Sequence, residues 1–160
     1  MKLFQKIRST GRIAEPSQPG PGGLACPKAA QLGGSVQLRH IDTGSCNGCE
    51  IEIGSAFGPV YDAERYGARL VASPRHADAL LVTGAVTHNM AQPLCRTVAA
   101  APHPRIVIAV GDCACGDGVF ADAYGVRGPV SGTVPVDLRI PGCPPEPTTI
   151  IRALRGLTGR

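Results

Sequence analysis

Ile106-Val107-Ile108-Ala109-Val110 is five apolar residues without a polar break. A strand with one wet face alternates apolar and polar positions; an unbroken run needs cover on both faces. That points to a parallel strand inside a layered α/β fold. The chain supplies the other layers in alternation. Strands are expected at 36–41, 68–72, 79–83, 105–110 and 135–140, and helices at 48–57, 90–100 and 147–157. Strand–helix alternation of this kind builds βαβ units with right-handed crossovers. Aromatics make up only 4% of the residues and Trp is absent, so Val, Ile, Leu and Ala must fill the core.

Glycine and proline divide the chain into two regions. Residues 1–34 hold a short amphipathic segment and then a linker; residues 35–160 carry the rhythmic pattern of one folded domain. In the segment, Leu3, Phe4 and Ile7 share a face bordered by Lys2, Lys6 and Arg8. It reads as a docking helix for a membrane-associated partner or lipid headgroups, or as a frayed basic terminus. Between Glu15 and Pro27, prolines and glycines are too dense for regular packing. A net charge of +4, with no basic patch interleaved with aromatics, gives no case for nucleic acid. No apolar run approaches the roughly 20 residues of a membrane span. The first residues show no apolar signal core and no twin arginine, so the expected location is the cytoplasm. Seven cysteines in that compartment point to metal or redox chemistry rather than to structural disulfides.

Four of those cysteines follow strands. Cys46 and Cys49 come after the first, in Gly44-Ser45-Cys46-Asn47-Gly48-Cys49-Glu50. Cys113 follows the fourth, and Cys143 the fifth, in Pro141-Gly142-Cys143-Pro144-Pro145. The carboxyl ends of parallel strands share one edge, where α/β proteins bind ligands. Glycines in these loops permit close backbone approach, and a helix starting near Cys49 would favour thiolate over thiol. Structural zinc usually takes two close pairs of ligands, whereas iron–sulfur clusters accept ligands from scattered loops. The spacing favours a cluster, with zinc as the competing occupant. A redox dithiol would use Cys46 and Cys49 but leave Cys113 and Cys143 idle. Cys26 reads as incidental and Cys95, beside Leu94, as a core residue.

From about Arg39 to Leu157 the chain resembles one family. It unites nickel–iron hydrogenase small subunits with the cluster-bearing 20 kDa-type subunit of respiratory complex I. Beyond the cysteine loops, the resemblance is carried by Tyr61-Asp62-Ala63-Glu64-Arg65-Tyr66-Gly67, Ser73-Pro74-Arg75-His76-Ala77-Asp78, Gly84-Ala85-Val86-Thr87-His88-Asn89-Met90 and Val134-Pro135-Val136-Asp137. Complex I subunits typically carry adjacent cysteines in the first block. Cys46-x-x-Cys49 is instead similar to the short one-cluster subunits of energy-converting hydrogenases and formate hydrogenlyase-like complexes. The resemblance implies a flavodoxin-like three-layer domain with a parallel sheet, and a proximal [4Fe-4S] cluster at the carboxyl ends of its strands. Its ligands would be Cys46, Cys49, Cys113 and Cys143. It implies an electron-transfer subunit, with the catalytic metal on a hydrogenase-like large subunit. Ferredoxin-like and integral membrane subunits would complete a complex on the inner face of the cell membrane.

Alternatives are a cluster subunit of a quinone-reducing NADH dehydrogenase-like complex, and a zinc-bound structural or assembly module. Cys115 and Asp117 depart from the family pattern, and Cys115 is expected to be a non-ligand neighbour. Glu50 and Glu52 read as proton-relay groups at a subunit interface or as acids stabilised by a helix N-terminus. Arg75, His76 and His88 are expected on the cluster edge, and His40 is expected to pack within the first strand.

Overall fold

The computed structural model describes residues 3–11 and 26–160. Leu3–Thr10 forms helix α1, with Leu3 and Phe4 exposed on it. Most of the expected Pro/Gly linker lies outside the described residues. The packed body begins earlier than residue 35: Cys26 is half-buried against the core, and Pro27–Leu32 forms a 3-10 helix in contact with the last helix.

The main chain then runs β1 (Val36–Asp42), α2 (Gly48–Ala56), β2 (Ala68–Leu70), β3 (Ala79–Thr83), β4 (Val86–Thr87) and α3 (His88–Ala100). It continues through β5 (Ile106–Val110), α4 (Asp112–Cys115), β6 (Val126–Gly128), β7 (Leu138–Ile140) and α5 (Pro147–Thr158). Five strands pair in the order β2-β1-β3-β5-β7, each parallel to its neighbours. This is the flavodoxin-like order, in which the direction of strand addition switches between β1 and β3. The register sets Asp42 beside Thr83 and Thr83 beside Val110, with Val110 beside Ile140. Those four residues mark the carboxyl edge. β4 and β6 form a separate antiparallel pair.

Alternation within the sheet sorts the core into two layers. Val36, Leu38, Leu81, Ile106, Ile108 and Ile140 face α2 and α5, whose Ile53, Ile150, Leu154 and Leu157 complete that layer. Leu80, Val82, Val107 and Ala109 face α3 through Ala91, Leu94 and Val98. All five residues of β5 are buried, as its unbroken apolar run requires. Cys95 is exposed on α3, not in the core: Leu94 points inward, and the next residue on a helix is turned about 100° away.

Candidate metal centre

The loop after β1 is built by its own side chains. Asp42 Oδ1 accepts the amides of Gly44 and Ser45, each at 2.8 Å, which turns the chain back over the sheet edge. Asn47 takes a left-handed conformation, φ 72°, ahead of α2. Asparagine tolerates that region better than most residues, and the Asn-Gly pair is its sequence signal. The reversal sets Cys46 just outside the helix and Cys49 in its first turn.

The other two loops are tied together. Asp112 Oδ1 accepts the Gly142 amide at 2.6 Å, and the Asp112 amide donates to the Gly142 carbonyl at 2.9 Å. Gly111 donates to Ile140 across the same gap, at 2.7 Å. The loop bearing Cys113 is thereby held against the loop bearing Cys143. Gly118 folds over Cys113 so closely that a Cβ there would meet the Cys113 Cα at 2.5 Å.

These loops surround a cavity of about 110 Å³ at the carboxyl edge, lined by Cys46, Cys49, Cys113 and Cys143 with Ser45, Gly84, Asp112 and Pro144. That is room for about three or four waters at liquid density, far more than a bare ion fills. Among the described residues, no three His, Cys, Asp or Glu side chains converge closely enough to hold a single metal ion. The thiols stand around a space rather than around a point. Cys46 and Cys143 are exposed, while Cys49 and Cys113 are half-buried.

Burial, then the Glu50 carboxylate, then the other three sulfurs push the Cys49 thiol up to about 12. The start of α2 does not outweigh those effects, contrary to the expectation of a thiolate favoured by the helix. Cys113 is also raised, by burial first and then by the charges of Cys143, Cys46 and Asp112; the Phe120 backbone hydrogen bond opposes the shift. At Cys49 and Cys113, burial and the neighbouring sulfurs favour the thiol until a cationic group compensates them.

Glu50 is held from the sheet. The Thr83 hydroxyl donates to Glu50 Oε1, His40 Nε2 lies 2.9 Å from that hydroxyl oxygen, and His40 Nε2 and Glu50 Oε1 are 3.4 Å apart. Glu50 Oε2 is buried with no hydrogen-bond partner among the described residues. Neither reading of Glu50 from sequence anticipated this grip by Thr83 and His40. Glu52 is half-buried and takes no part in it.

Arg75 and His76 are exposed and do not reach the cavity. After β2 the short turn Pro74–His76 leads directly to Asp78, whose carboxylate accepts the Gln37 amide near the amino end of β1. His88 opens α3 and is exposed, its amide donating to Gly125. Cys115 packs behind the site against the α3-side core and points its sulfur toward the Ala109 carbonyl at 3.9 Å. It does not line the cavity.

Residues 46–157 match the family model for the NADH ubiquinone oxidoreductase 20 Kd subunit. The chain belongs to that family. Its relatives include a "Probable membrane-bound hydrogenase subunit" of Pyrococcus furiosus, 46% identical over 77% of this chain and 74% of that one. Formate hydrogenlyase subunit 7 of Escherichia coli is 50% identical over 73% of this chain, a match spanning 46% of that protein. Among solved structures, a chain of the archaeal membrane-bound sulfane sulfur reductase superposes with a TM-score of 0.70 at 30% identity. That match covers 84% of this chain and 75% of the other. A chain of an NAD+-reducing [NiFe]-hydrogenase shares the fold, with a TM-score of 0.57 at 22% identity over 72% of this chain and 86% of that one.

Proposed function

We propose that Cys46, Cys49, Cys113 and Cys143 hold one [4Fe-4S] cluster. The chain is then the electron-transfer subunit of a membrane-associated, nickel–iron hydrogenase-like complex of the formate hydrogenlyase type. The observation that carries this reading is the ring of four cysteines, from three loops, around one cavity of about 110 Å³. Bound there, the cluster supplies a one-electron relay. The protein's part is to hold it: Asp42 and Asp112 fix the loops, Gly84 lets the Gly44–Ser45 backbone pack against it, and Gly111 leaves room for the Cys49 sulfur.

The catalytic metal belongs on a large subunit docked over the cavity. Cys46 and Cys143 are exposed in the isolated chain, and so are Ile51, Val119 and Phe120 on the neighbouring segments. An apolar partner surface would cover these residues and exclude water from the sulfurs. No helix of the described residues is long and apolar enough to cross a membrane, so membrane subunits of the complex would provide the attachment. We place the chain on the cytoplasmic face, with a ferredoxin-like subunit to pass electrons onward.

Two other readings carry less. A quinone-reducing complex finds support in NAD(P)H-quinone oxidoreductase subunit K of spinach chloroplasts, 43% identical over 110 residues. The Cys46-x-x-Cys49 spacing favours the hydrogenase branch. A structural zinc usually takes two close pairs of ligands, whereas here one pair is joined by two single cysteines on separate loops. The test is iron and acid-labile sulfide analysis of the anaerobically purified complex, with EPR after dithionite reduction. About four of each per chain and a low-temperature S = 1/2 signal are expected. Stoichiometric zinc without sulfide, or Cys113→Ser leaving electron transfer intact, overturns the reading.

A further inference from the structure

A second concave site lies away from the cysteines and shares no residue with their cavity. It is a cleft of about 360 Å³ between α5 and the segment that follows α2. Three arginines line it: Arg65 from the 3-10 turn Ala63–Tyr66, and Arg152 and Arg155 one turn apart on α5. The guanidinium carbons of Arg65 and Arg155 lie 4.6 and 4.9 Å from the centroid of one ring, that of Tyr66. Arg65 also donates to the Tyr66 hydroxyl, and Arg155 Nε to the Arg160 carbonyl at 2.6 Å. These contacts fix two long side chains in place.

Among the described residues, no Asp or Glu side chain pairs with any of the three. The ion pairs among the described residues are Lys28–Asp137 and His40–Glu50. Asp62 and Glu64 are exposed beside the cleft without lining it, and Glu146 is engaged by the Thr148 hydroxyl at its rim. Three like charges gathered on a concave wall repel one another, and an anionic group entering the cleft relieves that repulsion. The rest of the lining is Tyr61, Tyr66 and Thr148 together with two aliphatic residues: Ile151 is buried in the wall, and Val60 stands 84% exposed at the mouth. A fitting ligand therefore carries carboxylates next to aliphatic groups. Arg and Tyr on a concave wall with an aliphatic rim are the residue types that anchor protein interfaces.

We propose that this cleft is a docking anchor for an acidic segment of a neighbouring subunit, on a face separate from the one that covers the cysteines. The proposal rests on the reading of the chain as a subunit of a larger oxidoreductase complex. Its carboxylates would lie against Arg65, Arg152 and Arg155, with an aliphatic side chain over Val60 and Ile151.

The test places the photo-crosslinker p-benzoylphenylalanine at Val60 in the full chain, produced with its partner subunits. Irradiation of the purified complex should join position 60 to a partner segment rich in Asp or Glu, mapped by mass spectrometry. The yield should fall about fivefold or more with Arg152→Glu, and be largely retained with Arg152→Lys. No cross-link, a cross-link to lipid, or one to a segment without acidic residues overturns the proposal. So does a yield that Arg152→Glu leaves unchanged. The cluster EPR signal is read on the same samples. A missing signal with the acidic cross-link retained defeats the electron-transfer reading and leaves the anchor standing. A normal signal without the cross-link does the reverse.

Discussion

Gly111→Ala tests how tightly the backbone is built around the cysteines. Gly111 has φ 90° and ψ 157°, a conformation that L residues avoid. Forcing alanine into it costs about 1–3 kcal/mol. The new methyl would also stand 2.5 Å from Cys49 Sγ. If the sulfur holds its place, overpacking adds about 1–3 kcal/mol. If Cys49 rotates away, that second cost falls, but the ring loses one of its four thiols. The expected result is therefore about 2–6 kcal/mol of lost stability, or a smaller loss with iron uptake impaired. Gly54→Ala is the control, because nothing lies within 4 Å of its Cβ position in the exposed helical backbone of α2. There alanine should stabilise by about 1 kcal/mol through helix propensity. Urea unfolding of the cluster-free chain reads the first effect, and iron content after anaerobic reconstitution reads the second. Gly111→Ala with an unchanged midpoint and full iron content would refute the reasoning.

The remaining predictions concern the thiols and the tie between their loops. Cys49, raised from 9.0 to about 12, should react with iodoacetamide at pH 8 roughly a thousandfold more slowly in the folded cluster-free chain than in urea, because its thiolate fraction falls by that factor. The folded state holds this proton more tightly than the unfolded chain does. The cluster-free fold should therefore lose stability as the pH rises from about 9 toward 12, which urea midpoints across that range will follow. Cys115→Ala should retain full iron content, since Cys115 packs behind the cavity, whereas Cys113→Ser should lower it. Asp112→Ala removes the acceptor for the Gly142 amide and should cost about 1.5–3 kcal/mol in urea unfolding, with faster iron loss on dilution.

The strands could be read from sequence because their burial is written into consecutive residues. β3 occupies 79–83 as expected, and β5 differs by one residue. The pattern predicts the last strand at 135–140, but it forms only at Leu138–Ile140. Pro135 has no amide to give a ladder, and Asp137 spends its carboxylate on the Val107 amide and on Lys28. The β4–β6 pair is not legible in the sequence, because two residues, Val86 and Thr87, carry no period and their partner lies about forty positions on. The cysteine loops stood out through their Gly and Pro flanks. The groups that hold them did not: Asp112 acts on Gly142 thirty residues away, and a lone aspartate after a strand has many possible roles. Cys95 is exposed although Leu94 is buried, because adjacency along a helix says nothing about which face a residue occupies.

The spacing of the sheet explains why these cysteines surround a space. Neighbouring strands lie about 4.8 Å apart, so β1 and β5, separated by β3, are about 10 Å apart at the edge. The loop from β3 carries Gly84 in that gap, where any Cβ would meet the Ser45 amide at 2.5 Å, so the Gly44–Ser45 backbone packs directly on it. The cavity lies at this middle part of the edge, with Cys46 and Cys49 lining it from one side and Cys113 from the other. β7 lies one strand beyond β5, and its loop comes within reach because Asp112 holds Gly142 back across the edge. The four thiols therefore line one cavity while resting on three loops that the ladder itself spaces. That separation is the observation on which the proposed cluster rests, since a cluster offers a separate iron to each sulfur.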